Sequence, residues 1–248
     1  KPFELPDQDG LMWRVNAPLD DMRVARGLIA GWTVFHDARY RDLALRIGQG
    51  LLKTSISSPL DFPAYAGGLV TPGAYYRDDR EDFSTTTYKI PVNDADLWTM
   101  KWFALFDSRW QGVIDTSIRM MSDAQISDQS GGRGQFHCVL LQDGMVFDGG
   151  WEYRDPPMGQ KIVAIQSLWT AIHLARAGQT KQAQAALDFY KRFYTANGRI
   201  PHFLNPDGTL PSEPEFSEQP VPSGAPPEVR AKWGTFGGDP WAVPGTIV

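Results

Sequence analysis

Three stretches of the chain carry the same pattern: two apolar stripes at helical spacing, joined by a short turn and followed by a long connection. The first runs through Ala25, Leu28, Ile29, Trp32 and Phe35, passes a turn-like His36-Asp37-Ala38, and continues through Tyr40, Leu43, Ala44, Ile47 and Leu51. Apolar residues at i, i+3, i+4 and i+7 define helices with one face to bury, so the spacing predicts a helical hairpin starting near Asp20. A second is predicted from about Asp94 to Leu105 and then through Trp110, Val113, Ile114, Ser117 and Met121. The third uses Ile162, Ile165, Trp169 and Ile172, breaks at Gly178, and resumes with Ala183, Ala186, Leu187, Tyr190 and Phe193. Asn197-Gly198 then stops it in the manner of a helix C-cap. Helix, turn, helix, long loop, repeated, predicts an all-α fold of the (α/α) toroid type, with inner helices facing a central cleft and outer helices packed around them. Three hairpins are half of a six-hairpin ring, so the toroid is expected to be incomplete.

Two connections, Ser57 to Tyr88 and Ser127 to Pro157, are long enough to be expected to serve function. Within the second, Phe136 to Leu141 predicts a strand of a small β-hairpin that turns at Gln142-Asp143-Gly144. Residues 211–248 hold eight prolines and no helical period. The expected organisation is therefore a toroid over residues 1–210 and a Pro-rich C-terminal extension over 211–248.

Composition narrows the function classes. With 42% hydrophobic and 12% aromatic residues among 248, the chain can bury a core and is not a disordered one. A net charge of −5, without a Lys/Arg cluster, argues against nucleic acid as a partner. No apolar run approaches the ~18 residues a membrane span needs. Cys138 is the single cysteine, which excludes an internal disulfide and a multi-cysteine zinc site. His36, His137, His173 and His202 are not at metal-ligand spacing, so neither a metal nor another cofactor is expected. Gly131-Gly132-Arg133-Gly134 lacks the Lys-Ser/Thr of a phosphate loop and reads as a flexible loop. The chain opens on Lys1 with no signal pattern before it, so a processed, trimmed or longer protein is expected.

Acidic residues gather at helix starts and in the second long loop. Asp20 and Asp21 open the first helix, and Asp94 and Asp96 open the third. Capping and the helix dipole account for one acid of each pair. A toroid, however, opens its helix ends onto the cleft, where carboxylates meet substrate. Hydrolysis of a glycosidic bond needs two carboxyl groups, one protonated and one ionised. The loop QDGMVFDGGWEYRDPPMGQ is the densest candidate, with Asp143, Asp148, Glu152 and Asp155 among Trp151, Tyr153 and Arg154. It reads equally as a surface turn loop. Of the nine tryptophans, Trp32, Trp110 and Trp169 fall on apolar stripes and are expected in the core. Trp98, Trp102 and Trp151 stand beside acids and are expected to form a sugar platform.

Taken together, five segments resemble glycoside hydrolase family 8, the endoglucanase and chitosanase family with an (α/α)6 six-hairpin fold. They are DGLMWRVNAPLDDMRVARGLIAGWTVFHDARYRDLALRIGQGLL, GLVTPGAYY, DSRWQGVIDTSIRMM, LLQDGMV and YRDPPMGQKIVAIQSLW, in the family's order and over about residues 9–210. The resemblance implies that Asp20 or Asp21 is the cleft aspartate that binds and distorts the sugar. It implies that Asp155 is the general base of an inverting mechanism, or that Asp148 is the true counterpart. It also implies that Tyr75 or Tyr76 lines the cleft. Trp98, Trp102, Trp151, Tyr153, Asp94, Asp96 and Glu152 complete the expected substrate-binding set.

Two departures stand out. The family's general acid is a Glu on the first inner helix, upstream of the segments found here, and the Arg that follows its base is replaced by Pro156-Pro157-Met158-Gly159-Gln160. The resemblance thus implies a glycosidase acting on a bacterial β-glucan or amino-sugar polymer, extracytoplasmic and tied to an exopolysaccharide system. A missing N-terminal segment or a partner chain would complete the ring. The alternatives are a non-catalytic carbohydrate-binding toroid, and an epimerase or polysaccharide lyase of similar architecture, for which His173 or His202 would matter.

Overall fold

A computed structural model describes residues 3–6, 12–15, 17–57, 59–60, 62–71, 76–77, 89–128, 131–141, 147–148, 161–201 and 203–210. Among them are six α-helices: α1 (Pro18–Phe35), α2 (Ala38–Thr54), α3 (Leu97–Ala104), α4 (Arg109–Asp123), α5 (Ala164–Arg176) and α6 (Thr180–Asn197). They form three consecutive hairpins, as the stripes predict. Pro18 sits in the first turn of α1, where its fixed φ suits helix entry. His36 ends α1 in the left-handed region at φ 55°, and its amide donates to the Trp32 carbonyl. Asp37 then caps α2, its side chain accepting from the Arg39 amide at 2.9 Å. Gly198, at φ 72°, ends α6 as expected of a helix C-cap.

The helices divide into two layers. Each even-numbered helix packs on its hairpin partner, while α1 packs on α3 and α3 on α5. The odd helices are therefore the inner layer and the even ones the outer. The core between them includes Met22, Ile29, Leu51, Leu97, Met100, Phe103, Trp110, Ile114, Met120 and Leu174. A smaller apolar cluster joins Ile126, Cys138, Val139, Ile162, Val163, Phe189, Tyr190 and Phe203 under α6.

Strands are short and antiparallel. β1 (Phe3–Pro6), β2 (Met12–Val15) and β3 (Tyr76–Arg77) form one sheet, and β4 (Lys89–Pro91), β5 (Val139–Leu141) and β6 (Phe147–Asp148) a second. β7 (Ile162–Val163) pairs with β8 (Phe203–Leu204). The predicted hairpin is present as β5–β6, with Leu140 opposite Phe147; its turn, Gln142-Asp143-Gly144, lies outside the described residues.

Several boundaries differ from the sequence reading. Asp94 belongs to a 3-10 turn, Val92–Asp94, and α3 starts only at Leu97, because Asp96 caps it. Ile162 lies in β7, so the third stripe becomes helical two residues later. Phe136 is outside β5 and makes an isolated bridge to Gln125. The glycine run near residue 131 is a packed turn rather than a loose loop: a Cβ on Gly132 would collide with the Pro206 carbonyl, and one on Gly134 with the Ala185 carbonyl. Residues 211–248 lie outside the described residues.

Candidate functional site

The inner helices enclose a cleft of about 130 Å³, lined by Leu19, Arg23 and Arg26 from α1, Asp96 from the start of α3, and Trp169, Ile172, His173 and Arg176 from α5. The lining follows helical geometry: positions 19, 23 and 26 share one face of α1, and 169, 172, 173 and 176 one face of α5. An apolar wall of Leu19, Trp169 and Ile172 thus meets three guanidinium groups.

Asp96 ties the three helices together at the bottom of this cleft. Its side chain is fully buried. Asp96 Oδ1 accepts from the Thr99 amide at 3.5 Å, and Oδ2 accepts from Thr99 Oγ1 at 3.0 Å and from Arg26 Nη1 at 3.1 Å. His173 Nδ1 lies 3.6 Å from Asp96 Oδ1. Burial pushes the Asp96 carboxyl up, but His173, Arg26 and the Thr99 hydroxyl together outweigh it and hold it at about 2. Asp96 is thus a fixed negative charge that orients Arg26, with no proton to give near neutrality.

Asp94 has the opposite character. It is half-buried, and Asn93 Nδ2 donates to its Oδ1 at 3.3 Å. Burial, reinforced by the negative charge of Asp20, raises its carboxyl to about 7, with Arg23 opposing. Asp20 is exposed at the start of α1 and accepts from Arg23 Nη1 at 2.9 Å. The Arg23 guanidinium in turn lies 4.5 Å from the centre of the Trp169 ring. Asp20, Arg23 and Asp94 therefore form one electrostatic unit beside the cleft, in which Asp20 is paired with Arg23 and the Asp94 carboxyl is raised by burial.

Of the expected set Asp96 alone lines this cleft; Asp20 and Asp94 stand beside it, linked to it through Arg23. Asp21 is half-buried in the first turn of α1 and outside the cleft lining. Trp98 is 39% exposed at the start of α3, also outside the lining. Trp102 faces its neighbours, edge-on to Trp32 at 6.0 Å and against Phe106 at 4.9 Å between ring centres. The aromatic wall of the cleft is Trp169, which its apolar stripe had placed in the core; Trp110 is the stripe tryptophan that is buried there. Asp148 and Tyr76 are backbone positions in β6 and β3, and Tyr75, Trp151, Glu152, Tyr153 and Asp155 lie outside the described residues. Sequence reasoning missed Arg23, Arg26, Trp169, Ile172 and Arg176. Their signal was an i, i+3, i+4, i+7 face carrying guanidinium and imidazole groups beside apolar ones, which apolar periodicity alone discards.

A half-ring of α-hairpins, with a polar cleft between the inner helices and a tryptophan in its wall, defines the class: an incomplete (α/α) toroid of the six-hairpin glycosidase type. No family model and no curated protein matches the sequence. Solved structures do match the fold. One is a novel alpha-amylase from Clostridium perfringens, 17% identical with a TM-score of 0.60, over 80% of this chain and 51% of that one. Another is the apo beta-1,3-1,4-glucanase of Paenibacillus sp. X4, 14% identical with a TM-score of 0.60, over 82% and 55%. A third is endoglucanase Cel10, a family 8 glycosyl hydrolase from Klebsiella pneumoniae, 15% identical with a TM-score of 0.55, over 79% and 57%. The chain spans between half and three-fifths of the length of these structures and has, in part, the family 8 toroid fold. Among the described residues, no helix is long and apolar enough to cross a membrane.

Proposed function

We propose that the chain carries the polysaccharide-binding cleft of a glycoside hydrolase-like toroid and takes part in hydrolysis of a β-linked polymer with inversion. The observation that carries this reading is Asp94, whose carboxyl is raised to about 7 by burial and the neighbouring Asp20, beside the Asp20–Arg23 salt bridge. Acid–base hydrolysis needs one carboxyl group that still holds its proton near neutral pH. In this reading Asp94, neutral below about pH 7, donates a proton to the leaving glycosidic oxygen. Asp20 and Arg23 hold the sugar at the cleavage point, Trp169 stacks on its C–H face, and Asp155 or Asp148 activates water. An extracytoplasmic setting and a role in an exopolysaccharide system belong to the same proposal. So does a further segment or chain that supplies the remaining hairpins.

The test is reducing-end release from a mixed-linkage β-glucan, with the first-formed anomer followed by proton NMR. Release of the inverted anomer is expected, with a loss of about 10²-fold or more in Asp94→Asn and a comparable loss in Asp155→Asn or Asp148→Asn. Full activity in Asp94→Asn would remove the acid assignment.

His173, buried in the cleft wall with Nδ1 facing the Asp96 carboxylate at 3.6 Å, favours a second reading in which an imidazole oriented by a carboxylate removes a proton from a sugar carbon. Such an epimerase or lyase survives Asp94→Asn and is lost in His173→Gln. A lyase also yields an unsaturated product that absorbs in the ultraviolet.

A further inference from the structure

The lining of the cleft has an excess of positive charge that a neutral glucan does not require. Arg23, Arg26 and Arg176 face it, against the single carboxylate of Asp96. The three guanidinium groups are not equivalent. Arg23 shares its charge with Asp20 and lies over Trp169, and Arg26 shares its charge with Asp96. Arg176, in the last turn of α5, makes no salt bridge or side-chain hydrogen bond among the described residues. His173, one turn before it, is 93% buried by side-chain area, lines the same cleft and directs Nδ1 at the Asp96 carboxylate, 3.6 Å away, so Asp96 is already matched by Arg26 and His173 and does not neutralise Arg176.

We infer that the cleft takes an anionic sugar, a β-linked uronate whose carboxylate is met by Arg176 and Arg26 while its ring lies along Leu19, Trp169 and Ile172. This rests on reading the cleft as a glycan site and names the substrate class within it. A guanidinium presents a planar fork of donors that matches a carboxylate, and charge-assisted bonds of this kind are about twice as strong as neutral ones. The bond to Asp96 holds Arg26 in advance, so little of its side-chain freedom is lost when substrate arrives. The same cluster repels an ammonium group, which sets the cleft against the amino-sugar polymers the family resemblance implies.

The experiment is calorimetric titration of the protein with three oligomers of equal length, a β-1,4-glucuronan, a cello-oligosaccharide and a chitosan oligosaccharide, at low and moderate salt. Arg176→Gln and Arg176→Lys are titrated alongside, with thermal melting to confirm that each is folded. The expected result is glucuronan bound about tenfold or more tighter than the cello-oligosaccharide. That preference falls about tenfold in Arg176→Gln, partly returns in Arg176→Lys, and shrinks as salt rises. Equal binding of all three oligomers, preference for chitosan, or an unchanged preference in Arg176→Gln overturns the inference and leaves the glycan site standing. Binding of none of them removes the glycan site itself, and the inference with it.

Discussion

Asp94 and Asp96 stand two residues apart and have opposite fates. Asp96 is enclosed by donors, and its carboxyl is held at about 2; Asp94 has little but burial and a neighbouring carboxylate, and its carboxyl is raised to about 7. The sequence pair alone allowed a cap and a functional acid without saying which was which. The sorting depends on Arg26 and His173, which reach Asp96 from helices distant in the chain. The raised carboxyl also bears on stability. Below the unfolded carboxylate value near 3.8 both states hold the proton, and between that value and about 7 only the folded state does. Folding is therefore opposed progressively as pH rises through this window, and the opposition is complete above it. Asp94→Asn removes it, so the variant should melt higher than the parent at pH 8 and nearly level with it at pH 4. Equal melting differences at the two pH values would contradict the raised carboxyl.

Among elements, the three hairpins were legible because apolar residues at helical spacing mark helices with a face to pack. Leu51, Ile114 and Tyr190 are buried where the stripes place them, whereas Phe35, Leu43, Ile165, Ile172 and Leu187 of the same stripes are exposed. The roles of individual aromatics were not legible, since a stripe fixes a face of a helix but not what covers it. Trp102 packs against Trp32, Phe103 and Phe106 and works as mortar between α1 and α3, whereas Trp98 on the same helix is exposed. Trp102→Ala should therefore destabilise by about 2–3 kcal/mol, somewhat less than a full core truncation because the ring is only half-buried. Trp98→Ala should stay within about 0.5 kcal/mol, as an exposed substitution does. Denaturant melts of the two variants check this, and a larger loss for Trp98→Ala would reverse the assignment.

At the scale of the whole molecule, the count of hairpins and the order of segments were enough to predict half of a six-hairpin ring, and the matched toroid structures agree in fold. The cleft was harder to see. Its lining comes from α1 and α5, well over a hundred residues apart in sequence, and each contributes residues that look like ordinary surface or core alone. Only the packing of α1 on α3 and α3 on α5 turns them into one site. Ile165 and Ile172 on α5 and Val24 and Val34 on α1 are exposed. In the proposed function the inner helices form a hydrolytic glycan cleft with Asp94 as its acid. The most direct test is the pH dependence of reducing-end release from glucuronan and mixed-linkage β-glucan, for the parent and for Asp94→Asn. Parental activity is expected to fall on the alkaline side with a midpoint near the Asp94 value of about 7, and this limb to be absent from whatever residual activity Asp94→Asn keeps. Identical pH profiles and rates in the two proteins, or no release by the parent from either polymer, would contradict it.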